Sequence, residues 1–347
     1  MRINIILLFI IIYMLFSTEF INNCIFCNTY KHISYNNILS LEIPGNYKLF
    51  NPSICKYEDG YVMCIRYSNK IIKNLFLYFH SNIDCQSHIC FVLLTKDMKI
   101  IKTIFPKMSS NALEDPRICY YNNYFYVSIT EFINKELIFP SLYIFDISFN
   151  FIRKMTYNWN DYFDQTKILP SLIQKNWCPF VYKSKLLIHT DAYPKWNVFG
   201  MKEGNYENNI NEDIHCILKR KDMHLVNIVS FDTTYFFKEL NQKLIRCSTS
   251  WIEYSEKTFL VGLHTKEFAM KKFLPTIRTI LVEIDKETFI PIKKTDVLCL
   301  DIINDARIQF LSGLEYDNNY IYLTYGIGDY KTVIKRISKK QLNLILK

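Results

Sequence analysis

Five segments of the chain repeat one layout at a nearly constant interval, and this constrains the fold more than any other feature. Each opens on a short polar or proline-containing stretch and enters a β-rich run with an aromatic. Each then turns on Asp, Asn, Ser or Lys and closes on a second β-rich run. They run from Asn51 to Arg66, Asp115 to Val127, Cys178 to His189, Ser248 to Gly262 and Ser312 to Leu323. With Tyr57, Tyr121, Ser184, Tyr254 and Tyr316 as equivalent points, the intervals are 64, 63, 70 and 62 residues. A steady period marks a repeat architecture. A unit of this length holds about four strands and reads as a propeller blade. The expectation is an all-β fold, a single five-bladed β-propeller over residues 41–347 behind a lead-in of residues 21–40. A β-sandwich with chance hairpin similarity is the competing reading.

Helical signals are few. Asn160 to Ile168 and Thr234 to Ile245 are expected to hold short helices between repeats, the second with Phe236, Phe237 and Leu240 at helical spacing. At the N-terminus Arg2 precedes an apolar run from Ile5 to Phe16, followed by Ser17 and Thr18, so residues 1–20 read as a signal peptide or a signal anchor. The run is marginal for crossing a bilayer, which takes about 20 apolar residues. Either form sends the body of the protein into the secretory lumen or out of the cell. Membrane attachment, of an ER or Golgi kind, follows only if the leader stays on.

The net charge of +9, from 42 basic and 33 acidic residues, is spread along the chain without a basic tail. Nucleic acid is therefore not an expected partner. Eleven cysteines cannot all pair within one chain. Cys24 with Cys27 and Cys85 with Cys90 are candidate disulfides, whereas Cys55, Cys64 and Cys119 sit in strand-like runs and read as buried small hydrophobes. The lone Cys24-x-x-Cys27 pair has no partner motif, so no metal is expected. No glycine-rich phosphate loop or serine elbow appears, and no cofactor is expected.

The chemistry concentrates in Leu113-Glu114-Asp115-Pro116-Arg117-Ile118. It sets two acids and a permanent cation with a planar donor fork beside a residue of fixed backbone angle. Inner strands of a propeller converge on the axis, so residues at the same end of each repeat meet in one pocket. The candidates are Asn51, Arg66, Glu114, Asp115, Arg117, Lys175, Asn176, Trp177, His189, Asp191, Arg246, Thr249, His264, Tyr325 and Asp329. A single histidine such as His264 is more often structural than a ligand, and Trp177 either stacks on a sugar or packs between blades.

At these residues the chain resembles glycoside hydrolase family 130 and its relatives among β-mannoside phosphorylases and mannosyltransferases. The matching motifs are Asn51-Pro52 with Arg66, Glu114-Asp115-Pro116-Arg117, and Tyr325-Gly326-Ile327-Gly328-Asp329. Lys175-Asn176-Trp177 and Arg246-Cys247-Ser248-Thr249 look like motifs of the transferase-like members. The likeness spans roughly Leu41 to Ser338. It implies inverting glycosyl transfer on mannosides, with Asp115 as the one general acid and a mannose-containing glycan as substrate. The acid needs a raised pKa, which Glu114 or Asp329 would supply by like-charge repulsion. Arg117 is expected on a sugar hydroxyl or phosphate. With Lys175, His189, Arg246 and His264 it would hold phosphate or an activated sugar, either a sugar phosphate or a nucleotide sugar, in preference to water. A hydrolase using water and a non-catalytic glycan-binding propeller are the alternatives.

Overall fold

The computed structural model describes residues 36–40, 47–69, 86–108, 112–132, 138–157, 162, 175–203, 223–240, 244–267, 276–300, 308–328 and 331–347. The leader, Cys24, Cys27, Cys85 and Asp329 lie outside the described residues.

Five antiparallel sheets make the five blades of a β-propeller. The first blade is β2 (Lys48–Tyr57), β3 (Gly60–Ser68), β4 (Ser87–Leu94) and β5 (Ile100–Ile104). The second is β6 (Leu113–Tyr121), β7 (Tyr124–Phe132), β8 (Ile138–Asp146) and β9 (Phe151–Thr156). The third is β10 (Cys178–Tyr182), β11 (Lys185–Asp191), β12 (Lys195–Glu203) and β13 (Met223–Asp232). The fourth has a split inner strand, β14 (Leu244–Cys247) and β15 (Ile252–Glu253), both paired with β16 (Thr258–Glu267), then β17 (Thr276–Asp285) and β18 (Pro291–Lys294). The fifth is β19 (Gln309–Tyr316), β20 (Tyr320–Ile327) and β21 (Lys331–Ser338).

The outer strand of that last blade comes from the other end of the chain. β1 (Asn36–Ser40) pairs antiparallel with β21 and closes the ring. The propeller thus begins five residues inside what the sequence reading left as a lead-in. Closure by an N-terminal strand satisfies an edge that would otherwise expose unpaired backbone groups.

The expected helix over Thr234 to Ile245 is a correction. Among the described residues of that range the helical part is a 3-10 turn, Lys238–Leu240, and Leu244 already belongs to a strand. Phe237 is buried among the aromatics of the third and fourth blades, with Phe236 and Leu240 packed against the same cluster. The helix over Asn160 to Ile168 falls almost wholly outside the described residues. Among the described residues a helix forms at the C-terminus, α1 (Lys339–Ile345), started by a reciprocal capping box between Ser338 and Gln341 and burying Leu342 and Ile345.

Central strands of the blades are buried on both faces, as Val62 to Ile65 and Ile321 to Leu323 illustrate. The seven described cysteines, Cys90 among them, are buried free thiols, and the Cys85 half of the expected Cys85 to Cys90 pair lies outside the described residues. Serines stitch the inner strands to one another around and across the axis. Ser53 Oγ accepts from the Ile118 amide at 2.9 Å, Ser250 Oγ donates to the Ile118 carbonyl at 3.2 Å, and Ser312 Oγ donates to the Pro52 carbonyl at 2.9 Å. Ser248 Oγ likewise donates to the Leu311 carbonyl. This hydroxyl belt satisfies backbone groups that no ladder could reach.

Candidate active site

Two inner strands break their ladder at the same level. The β2–β3 register shifts between Phe50 and Ser53, and the β6–β7 register shifts between Glu114 and Arg117. Asn51, Asp115 and Asn176, at equivalent positions, have φ of 51°, 51° and 64°. Asn and Asp tolerate the left-handed region better than other side-chain-bearing residues. Backbone strain of this kind collects at functional sites, and at Asn51 and Asp115 it coincides with the break in the strand ladder.

Asp115 is the centre of the result. Asn51 Nδ2 donates to its Oδ1 at 2.7 Å and Arg66 Nη1 to the same oxygen at 3.3 Å. Arg66 Nη2 also grips Glu114, while its Nε donates to Ser87 Oγ at 2.8 Å, so the guanidinium is fixed from both sides. Lys175 Nζ closes on the other Glu114 oxygen at 3.2 Å. Burial raises the pKa of Asp115, but Arg66, Lys175 and Arg117, together with the Asn51 hydrogen bond, outweigh it and hold the carboxyl below the usual range. The raised pKa expected from like-charge repulsion is therefore not what the site shows, because Glu114 is paired with two cations of its own.

Gly326 supports this arrangement by lacking a side chain. A Cβ there would stand 2.2 Å from Asn51 Oδ1 and 2.9 Å from its amide, displacing the residue that orients Asp115. That is the physical reason for glycine in the Tyr325-Gly326 motif.

Arg117 is not free to meet a ligand. It is fully buried and donates through Nη1 to the Asp115 and Pro116 carbonyls at 3.0 and 2.9 Å and through Nη2 to Asn176 Oδ1 at 3.2 Å. Its guanidinium lies 5.1 Å from the Phe310 ring centroid. It pins the kinked backbone of two blades.

A second group of cations lies toward the fourth blade. Arg246 and His264 face each other across the β14–β16 ladder. Arg246 is half-buried and feels Asp191, yet no described side chain forms an ion pair with it. Burial first, then Arg246 and Arg117, pull the His264 pKa down to about 3, so its imidazole is neutral. Lys266, which the sequence reading missed, has its pKa lowered by burial and by Arg246 and Lys175. The only sequence signal for it was position, two residues beyond His264 on the same strand. Asp191 accepts from Tyr162, Thr190 and Asn197 at 2.7, 2.8 and 3.1 Å, and burial raises its pKa against these bonds and Arg246.

Four further candidates are built into the core. Trp177 is fully buried against Tyr157 and Tyr162, at ring separations of 4.9 and 5.1 Å, and so packs between blades and offers no face to a sugar. His189 accepts the Trp251 indole N–H at 3.1 Å beside Trp196, and burial lowers its pKa to about 3. Thr249 Oγ1 accepts from the Gly262 amide at 2.8 Å and is wholly buried. Tyr325 is fully buried in the fifth blade, its hydroxyl 3.5 Å from the Leu300 carbonyl.

The fold and site define a five-bladed propeller whose inner strands set Asp115 and Glu114 among the cations Arg66, Lys175 and Arg117. In sequence, no protein-family model and no curated protein matches the chain. In structure it is similar to a glycosyl hydrolase from Bacteroides ovatus, with a TM-score of 0.57 and 14% identity over 84% of both chains. It is also similar to a protein of the family 130 mannoside phosphorylases, a family containing glycoside hydrolases that target β-1,2 mannosidic linkages in Candida mannan. There the TM-score is 0.54 and the identity 14%, over 90% of this chain and 94% of that one. A mannose phosphorylase from Leishmania mexicana in complex with phosphate ion matches with a TM-score of 0.52 and 13% identity, over 93% and 92%. The fold is that of the family 130 type of propeller.

Proposed function

We propose that the chain is a carbohydrate-active enzyme that carries out inverting mannosyl transfer, with Asp115 as the general acid and phosphate or an activated sugar as the anionic partner. The observation that carries this reading is the seating of Asp115 between Arg66, Asn51 and Lys175 on a kinked inner strand, with the Arg246 and Lys266 charges close by. Glu114 takes part by holding Arg66 and Lys175 in place.

The depressed pKa of Asp115 fits an acid that is loaded only when both substrates are present. The cations that hold it ionised are the same kind of group that a phosphoryl dianion would neutralise. An anion seated against Lys175 offsets one of the three cations that hold Asp115 ionised, and a sugar that displaces water adds to the burial that favours the protonated form. The proton then goes to the departing glycosidic oxygen, directly or through a sugar hydroxyl, while the anion attacks the anomeric carbon from the opposite face. Water as nucleophile would not compensate the cations, which is why the hydrolytic alternative is less favoured.

Arg246→Ala tests the anion assignment. Because this guanidinium has no ion-pair partner among the described residues, its removal is expected to leave the fold intact. It should raise the KM for phosphate or activated mannose about tenfold or more, the scale of one charge-assisted contact. KM for the neutral sugar should change by less than about threefold. Equal loss for both partners would show that Arg246 acts on the pocket as a whole.

We also propose that the protein works in the secretory lumen or outside the cell, from the layout of residues 1–20. Full-length chain beginning at residue 1, found soluble in the cytosol by fractionation and N-terminal sequencing, would contradict this.

A further inference from the structure

The first and fifth blades meet in a cleft of about 580 Å³ that the mannosyl-transfer reading does not use. Tyr61, Lys96 and Asp97 line it from the first blade, and Asp317, Tyr320 and Arg336 from the fifth. The cleft lies at the far end of the strands from Asp115. Tyr61 pairs with Leu94 where β3 begins, whereas Arg66, which touches Asp115, pairs with Ile89 near the other end of the same strand. The five-residue offset along β3 puts about 16 Å between them, and their side chains stand on opposite faces of the sheet.

Two polar groups in this cleft are left unused by the fold. Tyr61 is only 3% exposed, yet its hydroxyl makes no hydrogen bond among the described residues. Burial first, then the Asp317 and Glu315 charges, raise its pKa, so it stays a phenol that can donate as well as accept. The partly buried Arg336 guanidinium lies 4.8 Å from the Tyr320 ring centroid and finds neither an ion pair nor a hydrogen-bond acceptor among the described residues. Asp317, by contrast, is engaged. Its Oδ1 accepts the Asn319 and Tyr320 amides at 2.9 and 2.8 Å, and its Oδ2 the Tyr322 hydroxyl at 2.6 Å. The charged lining balances, with Lys96 and Arg336 set against Asp97 and Asp317. An anion would meet both carboxylates, and an organic cation both basic groups. An apolar body would leave the Tyr61 hydroxyl and the Arg336 donors desolvated without partners. A neutral ligand rich in hydroxyls, each one donor and two acceptor positions, meets none of these penalties.

We propose that this cleft is a second, non-catalytic carbohydrate site, which holds a neutral sugar residue by its hydroxyls on Tyr61 and Arg336. Its volume falls within the ordinary range of small-ligand pockets. A glycan held here keeps the protein on an extended substrate and raises the effective concentration at Asp115 without altering the chemistry there. The ligand class rests on the cleft, and the choice of mannose as the sugar rests on the mannosyl-transfer reading. Binding is measured without turnover, so failure of that reading and failure of this site are distinguishable.

Carbon-13 NMR of the full chain with ring-labelled tyrosine tests it, the Tyr61 and Tyr320 signals being assigned from Tyr61→Phe and Tyr320→Phe. In Asp115→Asn, which separates binding from turnover, methyl β-mannopyranoside is expected to shift both signals with a Kd of about 1–20 mM. Mannuronate and protonated mannosamine should each bind there at least about threefold more weakly, because each brings a charge that the balanced lining opposes. Arg336→Met keeps an apolar stem beside Tyr320 and removes the donors, so the Kd read at Tyr61 should rise at least about fivefold. The charge series needs no substitution in the cleft and decides the matter even if Arg336→Met folds poorly. No shift of either signal below about 100 mM with the mannoside or with methyl β-glucopyranoside would overturn the proposal. Equal or tighter binding of either charged sugar, or an unchanged Kd in a folded Arg336→Met, would do the same. Shifts with the glucoside alone would overturn the choice of mannose and leave the carbohydrate site in place.

Discussion

Asp115→Asn is expected to leave a folded protein that turns over a mannoside or activated mannose at least about a hundredfold more slowly, the usual cost of losing a general acid. The substitution is nearly isosteric and Asn tolerates the left-handed φ that Asp115 adopts. The hydrogen bond from Asn51 can be kept, because the remaining amide oxygen accepts where Oδ1 did. What disappears is the transferable proton. Stability should fall only modestly at neutral pH, since the cations that outweigh burial at Asp115 lose one counter-charge while Arg66 and Lys175 keep Glu114. Sugar binding should persist, so kcat falls much more than KM changes. Wild-type turnover in this variant on a confirmed substrate would remove Asp115 from the chemistry.

The second large effect is on stability, at Arg117. Arg117→Met fills similar volume but removes every bond that the buried guanidinium makes: those to the Asp115 and Pro116 carbonyls and to Asn176 Oδ1, and the contact with Phe310. Three buried acceptors lose their donors, and the kinked strands of two blades lose their tie. Breaking a buried charged network by deleting one partner typically costs about 3–5 kcal/mol. Chemical denaturation should show a loss on that scale, and sugar-binding residues on the same kink should be affected with it. If Arg117 instead lay free in the pocket, as its place beside Asp115 suggested in the sequence, the same change would cost under about 1 kcal/mol and would act on anion affinity alone.

The repeat and the site were legible to different depths in the sequence. Hairpins at regular intervals with alternating aromatic and turn residues predict blades because a blade's inner pair is local, closed by two or three residues as at Glu58 and Asp59 or Asn122 and Asn123. Ring closure by β1 was not legible, since its partner β21 is nearly the whole chain away and five residues carry no pattern of their own. The level of the pocket was visible in Asn51-Pro52 and Asp115-Pro116, where an Asx residue before proline announces a kink. Which polar side chains face the pocket was not. A buried His189 held by Trp251 and an open Arg246 look alike in sequence, because burial is decided by blades that meet only in three dimensions. Lys266 carried no motif at all and emerged only through its proximity to Arg246 and Lys175.

The measurement closest to the central claim is time-resolved proton NMR of the anomeric signals. The full chain is incubated with short β-mannosides in phosphate and phosphate-free buffer, and with mannose 1-phosphate or nucleotide-activated mannose plus an acceptor. The account predicts turnover that requires the anionic partner, and a first-formed product of inverted anomeric configuration: α-mannose 1-phosphate from a β-mannoside, or a β-mannoside from an α-linked donor. Retained configuration, or faster release of free mannose without phosphate than with it, would contradict the account. Binding of mannosides with no turnover under any of these conditions would place the protein among glycan-binding propellers instead.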